Sequence, residues 1–342
     1  MNLPKPVNRV RAVDVAARAE VSVATVSMVV NGKAAGRVSP AVQERVTAVI
    51  AEMGYTVNPA ARSLVTGRSR CIALIASDVT NPYISTIAAG VAAAIGSDYQ
   101  LLLAVSGAER DLPDIPKVLA FGVDGVLVNL PVSDAIRERA PDLPIVALDD
   151  PGAPAAVSRV FFAVKPGARA LSEHLVEFRH RTIVYLDVPR PYATFTVRRR
   201  ALVERFRQLA ADATVIVARS NIDVEAARDV VRREWKSWRA QGVTAVVTCA
   251  DVQAYGALAA FTDMNVDVPG DVSLASFDGL PFASITNPAL TTVTLPAFEL
   301  GRRGAQLLSQ LLADRNPGVS TLELASTLTV RASTGPARRV RK

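Results

Sequence analysis

The chain has 342 residues, half of them hydrophobic and only 5% aromatic, which leaves room for more than one domain and an interior built mainly from Val, Leu, Ile and Ala. No apolar run approaches the roughly 18 residues of a membrane span, and the opening MNLPKPVNRVR is polar and basic with no apolar stretch behind it, so neither a spanning helix nor a secretory signal is predicted. The net charge of +7 is uneven: residues 1–70 hold 10 basic and 4 acidic residues, 71–330 hold 24 and 28, and 331–342 hold 5 and none.

A basic head on a mildly acidic body fits a polyanion-binding module attached to a body with another task. Cys71 and Cys249 each border an apolar run with no C-x-x-C, and read as buried, reduced thiols of a cytoplasmic protein. Residues 1–9 read as disordered. From Val13, apolar residues recur at helical spacing through Val15, Ala16 and Ala19, break at Glu20-Val21, and resume at Val23, Val26, Val29 and Val30. Ser22 stands where its hydroxyl can cap the second run. Two helices of about two turns joined by a tight bend cannot bury a core alone, and the arrangement predicts a helix-turn-helix whose second helix enters a DNA major groove. Ser39-Pro40 opens a third helix with Val42, Val46, Val49, Ile50 and Met53 on its buried face and Gly54 at its end.

The wording D-V-A-A-R-A-x-V-S-V-A-T-V-S-x-V-V-N-G resembles the opening of the lac/galactose repressor family of bacterial transcription regulators. For DNA contact the second helix offers Ser22, Val23, Ala24, Thr25, Ser27 and Met28, with Asn31 at its end. Hydroxyls and backbone N–H groups suit phosphates, whereas Val23, Ala24 and the Thr25 methyl suit thymine methyls and base edges. Two positions depart from the family: Met28 stands where an arginine is usual, and Glu20 where a turn glycine is usual. Both put the target sequence in doubt. In the same resemblance Asn58-Pro59…Ala61-Arg62-Ser63-Leu64 matches a hinge helix that orders on the operator, with Leu64 wedged into the central base step from the minor groove. Read without the resemblance, this is a linker whose Leu64 packs on its own domain.

From Cys71 onward short apolar strands alternate with helices. The strand candidates are CIALIA, QLLLAV, GVLVNL, PIVAL, RVFFAV, TIVYL, TVIVA, TAVVT and VSLASF, with helices such as Ile84–Ile95, Ala168–Phe178, Arg199–Ala211 and Ala254–Met264 between them. Continuous apolar strands imply parallel sheets covered on both faces. The length suggests two doubly wound lobes with a cleft, and the last strands, near Thr291–Leu295 and Thr327–Ala332, are expected to return and complete the two lobes. This body resembles the family's effector-binding core, itself similar to periplasmic sugar-binding proteins.

The predicted fold class is therefore an all-α helix-turn-helix domain followed by an α/β core of two parallel-sheet lobes. The predicted divisions are a headpiece at 1–57, a hinge and linker at 58–69, a two-lobed effector-binding and dimerisation core at 70–335, and a basic disordered tail at 336–342. At strand ends facing the cleft, the resemblance implies effector contacts by Tyr83, Asp149, Arg198 (opening the R-R-R-A-L helix), Asp251 and Asp278; Asp251 reads equally as a helix cap. Ala250, Ala163-Val164 and Ala201-Leu202 replace polar or aromatic residues usual in the family, which implies a smaller, more apolar or non-sugar effector, or lost effector control.

No G-x-S-x-G, Walker loop, G-x-G-x-x-G or H-E-x-x-H occurs. His174 and His180 match a structural stretch of the family. No catalytic residue, metal or cofactor is expected. The functional expectation is a homodimeric repressor on a pseudo-palindromic operator, controlled by a small molecule; no leucine heptad follows the core, which favours a dimer over a tetramer. The alternative is a cytoplasmic solute sensor with a vestigial DNA-binding head.

Overall fold

The computed structural model describes residues 10–56, 67–105, 115–132, 141–190, 192–314 and 318–338, and the chain divides into two compact units, 1–69 and 70–342. The expectations placed on residues 1–9 and on the hinge segment with Leu64 lie outside the described residues.

In the first unit, α1 (Ala12–Arg18), α2 (Val23–Val30) and α3 (Pro40–Met53) close a small core of Val15, Ala16, Ala19, Val26, Val46 and Val49. Asp14 accepts the Arg11 N–H at 2.8 Å at the start of α1, and Ser22 Oγ accepts the Thr25 N–H at 3.1 Å at the start of α2. Gly54 ends α3 in the left-handed conformation, φ 61°. Ser39 occupies the cap position of α3 but its side chain makes no capping bond; Pro40, which lacks an N–H to satisfy, leads the helix in. Two apolar positions face solvent instead of the core. Val13 is 48% exposed and Val23 is 45% exposed, because the core side of each helix is already filled by Val15, Ala16 and Val26.

The second unit holds two six-stranded sheets. The first contains β1 (Cys71–Ala76), β2 (Gln100–Val105), β3 (Gly125–Asn129), β4 (Ile145–Leu148), β5 (Ser158–Ala163) and β11 (Thr321–Ala325), in the order β11-β5-β4-β3-β1-β2. The second contains β6 (Thr182–Asp187), β7 (Thr214–Arg219), β8 (Ala245–Thr248), β9 (Ser273–Asp278), β10 (Thr291–Thr294) and β12 (Thr327–Thr329), in the order β12-β10-β9-β8-β6-β7. The same winding occurs twice, and every pairing is parallel except β10 with β12.

Nine of these strands are the apolar runs read from the sequence. The returning strands differ from expectation. Both β10 and β12 belong to the second sheet, and the strand that completes the first is β11, an exposed edge with the alternating sequence TLELA. The covering helices are α4 (Pro82–Ile95), α5 (Ile115–Ala120), α6 (Val164–Glu177), α7 (Ala193–Leu209), α8 (Val224–Ala240), α9 (Asp251–Asp263) and α10 (Ala297–Ala313). Helix α10 leaves the second lobe and packs on the first, against α4. The chain thus passes between lobes after β5, after β10 and between β11 and β12.

Cys249 is fully buried, but Cys71 is only half-buried, since it opens an otherwise buried strand at the sheet margin. The tail is not free from residue 336. The Ala337 N–H donates to the Phe178 carbonyl at 2.7 Å, and Arg338 pairs with Asp271. Nearby, His180 is 1% exposed, with Nδ1 on Thr244 Oγ1 at 2.9 Å and Nε2 on the Gly335 carbonyl at 3.1 Å. Burial lowers its pKa to about 4. His174 meets Thr334 Oγ1 at 2.8 Å, and burial lowers its pKa too. Both rings serve as neutral fasteners for the C-terminal segment.

The α4–α10 contact is made backbone to backbone. A Cβ on Gly90 would strike the Phe298 carbonyl oxygen, and one on Gly301 would strike the Ile87 carbonyl oxygen. Only glycine at both points allows this approach. Gly301→Ala should lower the body's unfolding free energy by about 1–3 kcal/mol through overpacking. Urea unfolding followed by Trp235 and Trp238 fluorescence measures this, and an unchanged midpoint would refute the close-packing assignment.

Candidate functional site

The cleft between the two lobes is a cavity of about 700 Å³ lined from both sides by the C-terminal ends of strands and the segments that follow them. Ser77 follows β1, Asn129 ends β3, Asp149 and Asp150 follow β4, Val188 follows β6, Ala250 follows β8 and Asp278 ends β9. Parallel doubly wound sheets place ligands at these ends, since the connections splay apart at the switch in strand order.

At its floor lies Arg198, 2% exposed and on the second turn of α7 rather than at the helix start. The helix begins five residues earlier, at Ala193, so its N-terminal turn also brings Thr194 and Phe195 into the cavity. Arg198 Nη1 donates to Asp278 at 2.7 Å and to the Cys249 carbonyl at 2.8 Å. Its Nη2 donates to Asp149 at 3.3 Å across the cleft. The guanidinium carbon sits 5.1 Å from the Phe195 ring centre. The Nε donor is buried with no protein partner, so the fork retains hydrogen-bonding capacity for something else.

Asp149 is the junction of the cluster. It accepts the Tyr83 hydroxyl at 3.2 Å and the Thr194 hydroxyl at 3.1 Å as well as Arg198. Its backbone has φ 53° and that of Asp278 has φ 117°, conformations that L residues other than Asn and Asp rarely take. Two strand-end carboxylates held in uncommon backbone geometry on one buried cation form an arrangement typical of a ligand site.

One cation serves two buried carboxylates. Burial raises the Asp149 pKa to about 6, despite the opposing pull of Arg198 and Thr194. Burial also raises that of Asp278, again against Arg198. For Arg198, burial disfavours the charge, but Asp278 and Asp149 outweigh it and the pKa rises. The guanidinium therefore stays ionised while the carboxylates compete for it.

Four of the five residues assigned to the effector from sequence, Tyr83, Asp149, Arg198 and Asp278, converge on this cavity. Asp251 does not line it. This carboxylate opens α9 fully buried, accepting the Leu280 N–H at 2.7 Å and the Thr292 hydroxyl at 2.8 Å, which fastens the β9 and β10 ends together. The departures at 163–164 and 201–202 leave the lining untouched: Val164 and Leu202 pack in the core, and of these positions only Ala250 reaches the cavity. The lining mixes the carboxylates and amides of Asp149, Asp278, Asn129 and Asn221 with the apolar Ile84, Leu130, Phe195 and Ile222. Asn129, Asp150, Tyr192, Thr194, Phe195 and Asn221 line it without having been singled out from sequence. Proximity to a strand end was the available signal for Asn129 and Asp150.

In the headpiece, Ser22, Val23, Ala24 and Ser27 are exposed along α2, Thr25 and Met28 are half-buried, and Asn31 caps the helix end. Glu20 takes φ 52° in the turn between α1 and α2. Among the described residues no group of three or more His, Cys, Asp or Glu could hold a metal, and no helix is long and apolar enough to cross a membrane.

Residues 13–58 match the family model described as bacterial regulatory proteins, lacI family, and residues 172–334 match that of a periplasmic binding protein-like domain. The ribose operon repressor of Halalkalibacterium halodurans is 29% identical over 330 residues, spanning 94% of this chain and 96% of that protein. The lac repressor dimer bound to operator and an anti-inducer aligns over 96% of this chain and 100% of its own, with TM-score 0.82 and 24% identity. A lacI-family regulator from Enterococcus faecium with bound ribose covers 78% of this chain and 100% of its own, with TM-score 0.71 and 22% identity.

Two outcomes test this geometry. Glu20→Gly relieves the left-handed backbone and should stabilise the headpiece by about 1 kcal/mol, seen as a higher midpoint for its transition in calorimetry of the whole chain; no gain would mean the turn is unstrained. Because the folded Asp149 pKa of about 6 exceeds the unfolded value of about 3.9, the folded chain holds the proton more tightly. Its contribution is full below pH 4 and lost as the pH rises through 6. Urea unfolding should show a decline of about 2–3 kcal/mol over that window, flattened by Asp149→Asn. A slope indifferent to that substitution would refute it.

Proposed function

Since the chain belongs to the lacI family of bacterial regulatory proteins, we propose that it is a homodimeric transcriptional repressor that binds a pseudo-palindromic operator under the control of a small effector in the cleft. The observation that carries this reading is the capped helix pair at 12–30, with an exposed second helix, joined in one chain to a two-lobed body with a polar cavity. Two headpieces related by a two-fold axis would read two half-sites. Phe282 and Ile285, 52% and 75% exposed on one turn of the body, supply apolar surface for self-association.

The cavity supports a small hydroxylated effector. Hydroxyl groups can donate to the carboxylates of Asp149 and Asp278, while Tyr83, Tyr192 and Phe195 cover apolar ring faces. The family relation to a ribose operon repressor favours a pentose or a pentose-bearing compound as first candidate. An effector touching Asp149 on one lobe and Arg198 and Asp278 on the other would favour one inter-lobe arrangement, and that differential affinity is what can change operator binding. Functional DNA contact and the absence of a spanning helix among the described residues both suit a cytoplasmic site of action.

Selection from a random duplex library by the full-length chain tests the reading. A recovered palindrome is expected, with its affinity altered at least fivefold by one member of a panel of pentoses, hexoses and nucleosides. Asp278→Asn should remove that response and leave operator affinity intact. Retention of unselected DNA, together with tight sugar binding, would favour a solute sensor with a vestigial head.

A further inference from the structure

The exposed face of α2 lacks the side chains that make the strongest base-specific hydrogen bonds. Val26, at 1% exposure, marks the side that packs into the headpiece. Away from it lie the exposed Ala24 and Ser27, with Val23, 45% exposed, on the flank and Met28 one turn beyond Ala24. The helix VATVSMVV contains no Arg, Lys, Asp, Glu, Asn or Gln. The nearest amide, on Asn31, is turned back on the helix and donates to the Ser27 carbonyl at 2.7 Å and to Ser27 Oγ at 3.3 Å. Ser22 and Thr25 hydroxyls bond to each other at 2.9 Å, and Ser22 also caps the helix.

Guanine is read in the major groove by Arg or Lys on O6 and N7, and adenine by Asn or Gln on N6 and N7. None of these partners stands on this face. Apart from the Ser27 hydroxyl, which does not discriminate between bases, it presents aliphatic surface, whose complement in the major groove is the C5-methyl group of a pyrimidine. Attraction to the duplex itself comes from elsewhere: residues 1–70 carry a net charge of +6, with Arg11, Lys33, Arg37 and Arg45 exposed among those described.

We propose that α2 reads its operator through pyrimidine C5-methyl groups, with Val23, Ala24 and Met28 as the specificity-determining residues, so that 5-methylcytosine is preferred over unmethylated cytosine at the positions where thymine is read. The inference rests on the operator-binding reading above and adds a chemistry to it. Met28 in place of a cation exchanges a hydrogen-bonding contact for a packing contact. Cytosine methylation within a half-site then becomes a modification that the protein detects directly.

The test uses the full-length chain and the duplex it selects from the random library. Replacing single thymines by deoxyuridine removes only the methyl, and should weaken binding about fourfold at each contacted position, the factor for one buried methyl-sized group. At the same positions 5-methylcytosine should bind about fourfold more tightly than cytosine. Replacing guanine by 7-deazaguanine, which deletes the N7 acceptor, should leave affinity unchanged. Met28→Arg should create sensitivity to 7-deazaguanine. A selected site indifferent to deoxyuridine but weakened by 7-deazaguanine overturns this inference alone. Failure to enrich any site overturns operator reading, and this inference with it.

Discussion

The body of the protein is organised around one buried cation shared by two carboxylates. Arg198 and Asp278 belong to the second lobe and Asp149 to the first, so the Nη2 to Asp149 contact at 3.3 Å is a polar link across the cleft. Removing a charged group from water costs several kcal/mol, and a buried ion pair recovers that cost only when its remaining donors and acceptors are also satisfied. Here Cys249, Thr194 and Tyr83 supply such bonds. The Nε is left buried without a partner, a local deficit in the cluster.

Much of the surrounding structure can be understood as holding that cluster. The positive φ values at Asp149 and Asp278 turn both carboxylates out of their strands toward Arg198. Asp251 fixes the loop after β9 by accepting the Leu280 N–H, and Asp187 holds the neighbouring Arg199 at 2.6 Å. That second ion pair ties α7 to the end of β6 one residue beyond Arg198. A sheet end whose loops are tied by buried carboxylates can keep a polar cavity open without collapsing onto it.

The strand runs were legible because a sheet covered on both faces needs continuous apolar residues, and the caps at Ser22 and Gly54 were legible because each has a local geometric reason. Edge strand β11 was not. Its sequence TLELA alternates, it has one neighbour, and nothing local distinguishes it from a loop. Burial within the run Arg198-Arg199-Arg200 was also beyond local reading. The three side chains are 2%, 27% and 76% exposed, so successive steps of about 100° carry the same chemistry from core to solvent. Only the position of α7 against α6 and β6 decides which arginine is enclosed. The resemblance to a known family singled out Arg198, the enclosed one, and also Asp251, whose partners are structural. Thr194 and Phe195 were missed because the helix starts earlier than its apolar pattern.

The path of the chain also imposes an order on its making. The first lobe receives its covering helix α10 and its last strand β11 from residues 297–325, after β6–β10 of the second lobe have been specified. A ribosome therefore completes the second lobe's β6–β10 while the first still shows bare the face of α4 that Gly301 will cover. The headpiece has all its helices within the first 53 residues and needs none of this. During synthesis the helical headpiece is therefore specified before the cavity between the lobes, whose lining runs from Ser77 to Asp278.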